Sequence, residues 1–330
     1  MHDIAVSVCC LVYNHEKYLK QCLDGIINQK TSFRFEVLIH DDASTDDSKK
    51  IIEDYTKKYP EIIKPIFQKQ NQYSKNKSIN FLYQYPRVKG EYIALCEGDD
   101  FWIDEFKLQK QYDFMEKNTQ CSLCTHVVKG VDISGEKKIK LFPTQSFSNN
   151  ILTADEIINH ISTIESYPFQ TSSYFFRSKY IKELILYEIP TFMQLVKSGD
   201  MTHLLYLITK GDVFFIDKIM SCYRMGTNGS WSARMNNDYR LRITHQNKYI
   251  MTLREYDKYT DYKYTNIIHK DIEQRSFLLY KEDFNLKMMK SSSYKKMYDK
   301  MPNIEKFFYS LGYYFPVLKK YLIFMKQKIK

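Results

Sequence analysis

Along the first hundred residues, apolar runs alternate with segments of helical period in an order that leaves this chain few folds. Ala5 to Val12 is an apolar run of the kind buried on both faces of a parallel sheet. His15 to Gln29 follows, with Tyr18, Cys22 and Ile26 at the four-residue spacing of one helix face. Phe35 to Ile39 reads as a second strand. Ser44 or Thr45 can cap the next helix, which runs through Ile51, Ile52 and Tyr55 and stops at Pro60. Ile62 to Phe67 is a third strand, and Glu91 to Cys96 a fourth after a helix across Asn80 to Tyr85. The pattern βαβαβ predicts an α/β fold with a doubly wound parallel sheet.

Polar residues gather where the apolar runs stop: Asn14 after the first, Asp41 and Asp42 after the second, and Glu97-Gly98-Asp99-Asp100 after the fourth. Ligands of open α/β sheets bind at such strand ends, so these groups outline a site. Three carboxylates in four residues call for a counter-charge, and hard oxygen ligands with no His or Cys among those four residues favour Mg²⁺ or Mn²⁺. The plainer reading is an acidic turn that caps the next helix, Asp104 to Lys117, whose inward residues are Leu108, Tyr112 and Met115.

The second half is more mixed. Cys121 to Val128 and Thr171 to Phe176 are strand-like, and Thr153-Ala154-Asp155-Glu156 is a capping box. Gly199-Asp200 opens a helix closed by Gly211, and Val213 to Ile216 is a strand; from Met235 nearly everything reads as helix. The expected domains are therefore 1–235, split into 1–103 and 104–235, and a helical extension 236–330. No stretch approaches the roughly 18 to 20 apolar residues of a membrane span, and no cleavable apolar leader is evident, which predicts a cytosolic protein. Seven cysteines, mostly in apolar runs, suit reduced buried thiols, Cys121 and Cys124 included. The formal charge of +10 is uneven: residues 1–240 hold 30 Lys+Arg and 30 Asp+Glu, residues 241–330 hold 19 and 9. In the tail, aromatic clusters alternate with lysines, which fits a segment lying on a membrane surface better than a nucleic-acid module; helices docked on the body are the bland alternative.

Three motifs in this order, Val6 to Asn14, Asp41 to Asp46 and Gly90 to Trp102, resemble glycosyltransferase family 2, with its GT-A fold. The resemblance continues through Ser198-Gly199-Asp200 and Met220 to Arg224 to Gly229-Ser230-Trp231 and covers about 230 residues. It implies an inverting enzyme that moves a sugar from a nucleotide-sugar donor, UDP-linked by expectation. Tyr13 and Asp41 would hold the base, with Asn14 and Asp42 beside them, Asp99 the ribose or metal, Asp100 the metal, and Asp200 would be the catalytic base. Asp200 also suits a helix cap.

The chain departs from the family pattern twice. Phe81-Leu82 stands where members often carry Arg-Asn, so Lys75, Lys77 or Asn80 is the expected phosphate contact. Met225 follows Arg224 where relatives often have His, which leaves Arg224 or Asn228 as the substitute at the diphosphate. The expected acceptor is a hydroxyl of a lipid-linked bacterial surface glycan, met by a peripheral enzyme on the inner face of the membrane. A nucleotidyltransferase would need a Gly-rich basic loop where this chain has Tyr13-Asn14-His15-Glu16. A non-catalytic lipid- or nucleic-acid-binding module is the remaining alternative.

Overall fold

A computed structural model describes residues 3–75, 78–144, 146–162, 169–196, 199–227, 230, 233–235, 238–319 and 321–322. Two compact units form, Met1–Ile161 with Glu165–Asn228, and Ser162–Ile164 with Gly229–Lys330.

The first unit is built on one ten-stranded sheet: β1 Ile4–Val12, β2 Arg34–Asp41, β3 Ile63–Phe67, β4 Tyr92–Glu97, β5 Phe101–Trp102, β6 Cys121–Val131, β7 Lys138–Phe142, β8 Ile151–Leu152, β9 Phe175–Arg177 and β10 Asp212–Arg224. Its main path runs β3-β2-β1-β4-β9-β6-β10-β5. The first three strands step one way from β1, whereas β4 joins β1 on the other side, also in parallel. That reversal is the topological switch point at which such sheets open a crevice. Beyond β4 the sheet becomes mixed, because β9 runs antiparallel to both β4 and β6. The parallel sheet read from the sequence thus holds for β1 to β4.

The helices are α1 Glu16–Ile27, α2 Ser48–Lys58, α3 Lys107–Lys117, α4 Ala154–Ile161, α5 Ser178–Leu186, α6 Thr191–Gln194 and α7 Gly199–Leu207. The α1 face buries Leu19, Cys22, Leu23 and Ile26 against the sheet. Each such side chain contributes about 1.5–3 kcal/mol when fully buried. The β1–β4 contact depends on Gly90, where a Cβ would lie 2.5 Å from the Ser7 nitrogen. Ser7 Oγ accepts from Gly90 N at 2.9 Å and donates to Glu36 Oε1 at 2.6 Å, satisfying a buried carboxylate.

Some local expectations change. Ser44 and Thr45 do not cap α2, which starts at Ser48 after Asp47; both serve the β1 loop instead, and Asp46 Oδ1 takes the Ser48 N–H. The segment from Asn80 is not a regular helix but a π turn to Gln84 and a 3₁₀ turn over Tyr85–Arg87, where Pro86 interrupts the ladder. Thr171–Ser173 is a 3₁₀ turn, so only the end of that segment is strand. The capping box forms as read: Thr153 Oγ1 accepts from Glu156 N at 3.3 Å and Glu156 Oε2 from Thr153 N at 2.7 Å. All seven cysteines are free and buried, and burial pushes Cys121 up to about 11 and Cys124 to about 12, so both are inert thiols.

The second unit is helical: α8 Tyr239–Tyr259, α9 Thr265–Glu282, α10 Leu286–Met289, α11 Lys295–Asp299 and α12 Asn303–Tyr314. Asp238 caps α8 by accepting from Leu241 N at 3.0 Å. Phe277, Phe284, Met289, Met301 and Tyr309 form its apolar cluster. Among the described residues, no helix is long and apolar enough to cross a membrane.

Candidate active site at the switch point

The carboxyl ends of β1, β2 and β4 are laced together. Val12 pairs with Asp41 and Leu11 with Glu97. Asp42 N donates to Val12 O and Gly98 N to Leu11 O, each at 2.9 Å. Past β1 the chain turns through Asn14 at φ 56°, a left-handed conformation that Asn tolerates. Asn14 N donates to Ser44 Oγ at 2.9 Å, Asn14 Oδ1 accepts from Thr45 N at 2.7 Å, and His15 N donates to Ser48 Oγ at 2.9 Å. Ala43, at φ 64°, gives the facing loop the complementary bend. Tyr13 is left exposed beside this loop.

The paired acids after β2 differ in their partners. Asp42 accepts from Gln72 N at 2.7 Å and from Tyr73 N at 3.0 Å, so both oxygens hold the loop after β3. Asp41 receives Ser44 N on Oδ2 at 3.3 Å, while its buried Oδ1 has no hydrogen-bond partner among the described residues. Burial raises the Asp41 carboxyl above its ordinary range. A buried acceptor left open in this way suits a ligand N–H.

The acidic turn after β4 lies on the other side of β1 from Asp41. Asp99 and Asp100 are both buried, and Asp100 Oδ1 accepts from Arg224 N at 3.0 Å. Burial first, then the charges of Asp99 and Glu97, raise the Asp100 carboxyl well above the carboxylate range. Glu97 opens to solvent, yet enclosure by protein and then the charges of Asp99 and Asp200 push it up to about 8. Arg224 is not aimed at these carboxylates: its Nη1 donates to Asp99 O at 2.6 Å, its Nη2 donates to Gln21 Oε1, and its guanidinium lies 4.9 Å from the Tyr18 ring and 4.5 Å from that of Phe101. Among the described residues no group of three or more His, Cys, Asp or Glu could hold a metal ion by itself. Two adjacent carboxylates short of positive charge nevertheless fit Mg²⁺ or Mn²⁺, which take one or two carboxylates and complete their shell with substrate phosphates and water.

A short chain of bonds ties Asp200 to the end of β4. Leu95 N donates to Tyr174 O at 3.2 Å, and the Tyr174 hydroxyl donates to Asp200 O at 3.2 Å. Asp200 stands in the first turn of α7, where a negative charge suits the helix dipole, and its Oδ1 accepts from Met201 N at 2.8 Å. His203 Nδ1 donates to Gly199 O and its Nε2 accepts from the Tyr85 hydroxyl at 2.8 Å, which fixes that turn around a neutral imidazole whose pKa burial lowers.

Several supporting residues escape a reading of the sequence. Thr227 Oγ1 donates to Asp99 Oδ2 at 2.9 Å; His15, which the sequence offers beside Asn14 either as a substrate contact or as a solvated helix start, has Nε2 4.0 Å from Asp99 Oδ1. Below the turn, Lys107 is fully buried, with Nζ 4.0 Å from the Trp102 ring centroid and 2.6 Å from Gln111 Oε1. Gln111 Nε2 donates in turn to Ser173 O at 2.9 Å. Burial brings Lys107 down to about 7. Among the sequence candidates, Lys77 and Asn228 lie outside the described residues, as do Ser198, Gly229 and Trp231 of the motifs. Lys75 is described, with its ammonium on Gln70 Oε1.

The fold of this sheet has known counterparts. A mannosyltransferase from Pyrobaculum calidifontis, solved with GDP-Man and Mn²⁺, shares the fold over 98% of this chain and 88% of its own at a TM-score of 0.57 and 14% identity. TarS of S. aureus, solved with UDP-GlcNAc, does so over 90% and 91% at 0.56 and 15%. The first unit is thus a GT-A fold. Residues 7–184 match the family model described as glycosyl transferase family 2, and the chain belongs to that family. An uncharacterized protein of Mycobacterium tuberculosis (strain ATCC 25618 / H37Rv) is 37% identical over 160 residues, 48% of this chain and 45% of that protein. The chain spans about half the length of the curated relatives of this kind that it matches.

Proposed function

We propose that this protein is a metal-dependent, inverting glycosyltransferase that moves a sugar from a nucleotide donor, UDP-linked, to a hydroxyl of a lipid-linked surface glycan. The observation that carries the reading is the open Asp41 oxygen at the end of β2 together with the charge-deficient Asp99-Asp100 pair after β4, both at the switch point. Family membership supports it, and so do the UDP-GlcNAc and GDP-Man with Mn²⁺ held by proteins of the same fold.

In this reading Tyr13 and Asp41 hold the base, Asp41 Oδ1 accepting from a ring N–H, with Asn14 and Asp42 shaping the loop. Lys77 contacts phosphate. Asp99 binds ribose or metal and Asp100 the metal, while Arg224 supports the turn from beneath. A bound Mg²⁺ or Mn²⁺ supplies neutralising charge at the departing diphosphate. Asp200 takes the proton of the acceptor hydroxyl as that oxygen attacks the anomeric carbon from the face opposite the diphosphate. The configuration inverts and no covalent enzyme intermediate forms.

The test is a thermal-shift and turnover screen of UDP-, GDP- and dTDP-sugars with and without Mn²⁺. A UDP-sugar with Mn²⁺ should raise the melting temperature and be slowly hydrolysed. No shift with any donor, or equal turnover in EDTA, contradicts the reading.

A further inference from the structure

Helix α12 is apolar on two faces, and among the described residues of its unit one of them is packed while the other is exposed. Phe308 and Tyr309 pack on Phe284, ring centroids 5.3 Å away in each case, and a Cβ on Gly312 would lie 2.1 Å from Phe284 Cδ1, so this face is seated tightly. The opposite side carries Ile304, Phe307, Leu311 and Tyr314 at i, i+3, i+7 and i+10. Ile304 is 78%, Phe307 67% and Tyr314 65% exposed, and the stripe runs on into exposed Phe315 and Val317. An exposed apolar stripe of this length marks an interaction surface.

Charge identifies what covers it. Residues 286–330 hold eleven lysines and two acids, a net +9 out of the chain's +10. Lys281 pairs with Glu305 at 2.8 Å, which ties the first turn of α12 to α9, and Lys319, beyond the helix, pairs with Asp283 at 3.0 Å. Lys287, Lys290, Lys295, Lys296 and Lys300 are exposed. A second copy would bring an equal positive charge against this surface, and a nucleic acid could stack on Phe307 and Tyr314 but would leave Ile304 and Leu311 wet. An anionic bilayer satisfies both features, with apolar side chains among the upper acyl segments and lysines at the headgroups.

We propose that α12 is a membrane-docking helix that lies in the interface of an anionic bilayer, with Ile304, Phe307, Leu311 and Tyr314 inserted. This does not rest on the proposed transfer reaction, and its test needs no donor or acceptor. The full chain is sedimented with phosphatidylcholine vesicles containing about one third phosphatidylglycerol, and with pure phosphatidylcholine vesicles. The triple variant Ile304→Ser, Phe307→Ser, Tyr314→Ser alters only exposed side chains, and its melting temperature should match that of the parent. The parent should pellet with the anionic vesicles at least about tenfold more strongly than with the neutral ones, and the triple variant should lose at least about tenfold in partitioning. Phe307→Lys separates insertion from plain charge attraction: it should weaken binding although it adds a positive charge. Equal or tighter pelleting of Phe307→Lys, undiminished pelleting of the triple variant, or no pelleting of the parent overturns the proposal. So does self-association that the triple variant abolishes, or binding of an RNA oligonucleotide without binding of vesicles.

Discussion

Two adjacent carboxylates at the end of β2 have opposite surroundings. Asp42 has both oxygens on backbone N–H groups and belongs to the scaffold, whereas Asp41 keeps one buried oxygen open. The turn after β4 repeats the contrast on a larger scale, with three acids that the protein itself only partly compensates. The difference separates acids that build the loops from acids held ready for something that arrives later. It also predicts opposite signs for similar substitutions.

The largest effect should come from Asp100→Asn, which removes the charge of the proposed metal ligand at nearly constant volume. Turnover should fall by about a thousandfold or more, roughly 4 kcal/mol, while the circular dichroism spectrum is unchanged. Asp200→Asn should follow at about a hundred- to ten-thousandfold in transfer, with donor affinity intact by calorimetry, because the helix-terminal oxygen remains. Near-normal transfer would reduce Asp200 to a structural role.

Asp41→Asn and Asp42→Ala break or confirm the contrast directly. Asp41→Asn should weaken donor binding by about tenfold and raise the melting temperature, since a buried, under-satisfied charge is removed. Asp42→Ala should instead destabilise by about 2–4 kcal/mol through two orphaned N–H groups. Matching signs in the two variants would erase the distinction.

The smallest effect is a slope with pH. Lys107 is held near 7 against its ordinary 10.5, so between those values the unfolded chain carries a proton that the folded one lacks. Folding stability should therefore rise from pH 7 to 9, by up to about 1.4 kcal/mol per unit. Urea midpoints should show that rise in the parent and a flatter profile in Lys107→Met.

Much of the site was legible because a parallel strand advertises itself as an apolar run and its polar terminus as the break. Asp41, Asp99 and Asp100 are legible that way as strand-end acids. Lys107 and Gln111 are not: hydropathy places α3's inward face on Leu108, Tyr112 and Met115, and a lysine enters it only because Gln111 and Trp102 receive it. Thr227 and Gln21 escape for another reason. Each meets the site through a bond spanning more than a hundred residues, and no local period encodes such a partner. The break at Asn80 was hidden by side chains compatible with a helix, while Pro86 decided the backbone.

The loops around Asn14 and Ala43 have a thermodynamic consequence for whatever binds there. An alanine in the left-handed region costs on the order of 1–2 kcal/mol, which the surrounding side-chain-to-backbone bonds must outweigh for the bend to persist. The conformational entropy of these loops is thus given up during folding. In the proposed reading, a flat base arriving beside Tyr13 would meet a frame that needs no ordering, and little of its contact energy would be diverted from affinity into immobilising the chain.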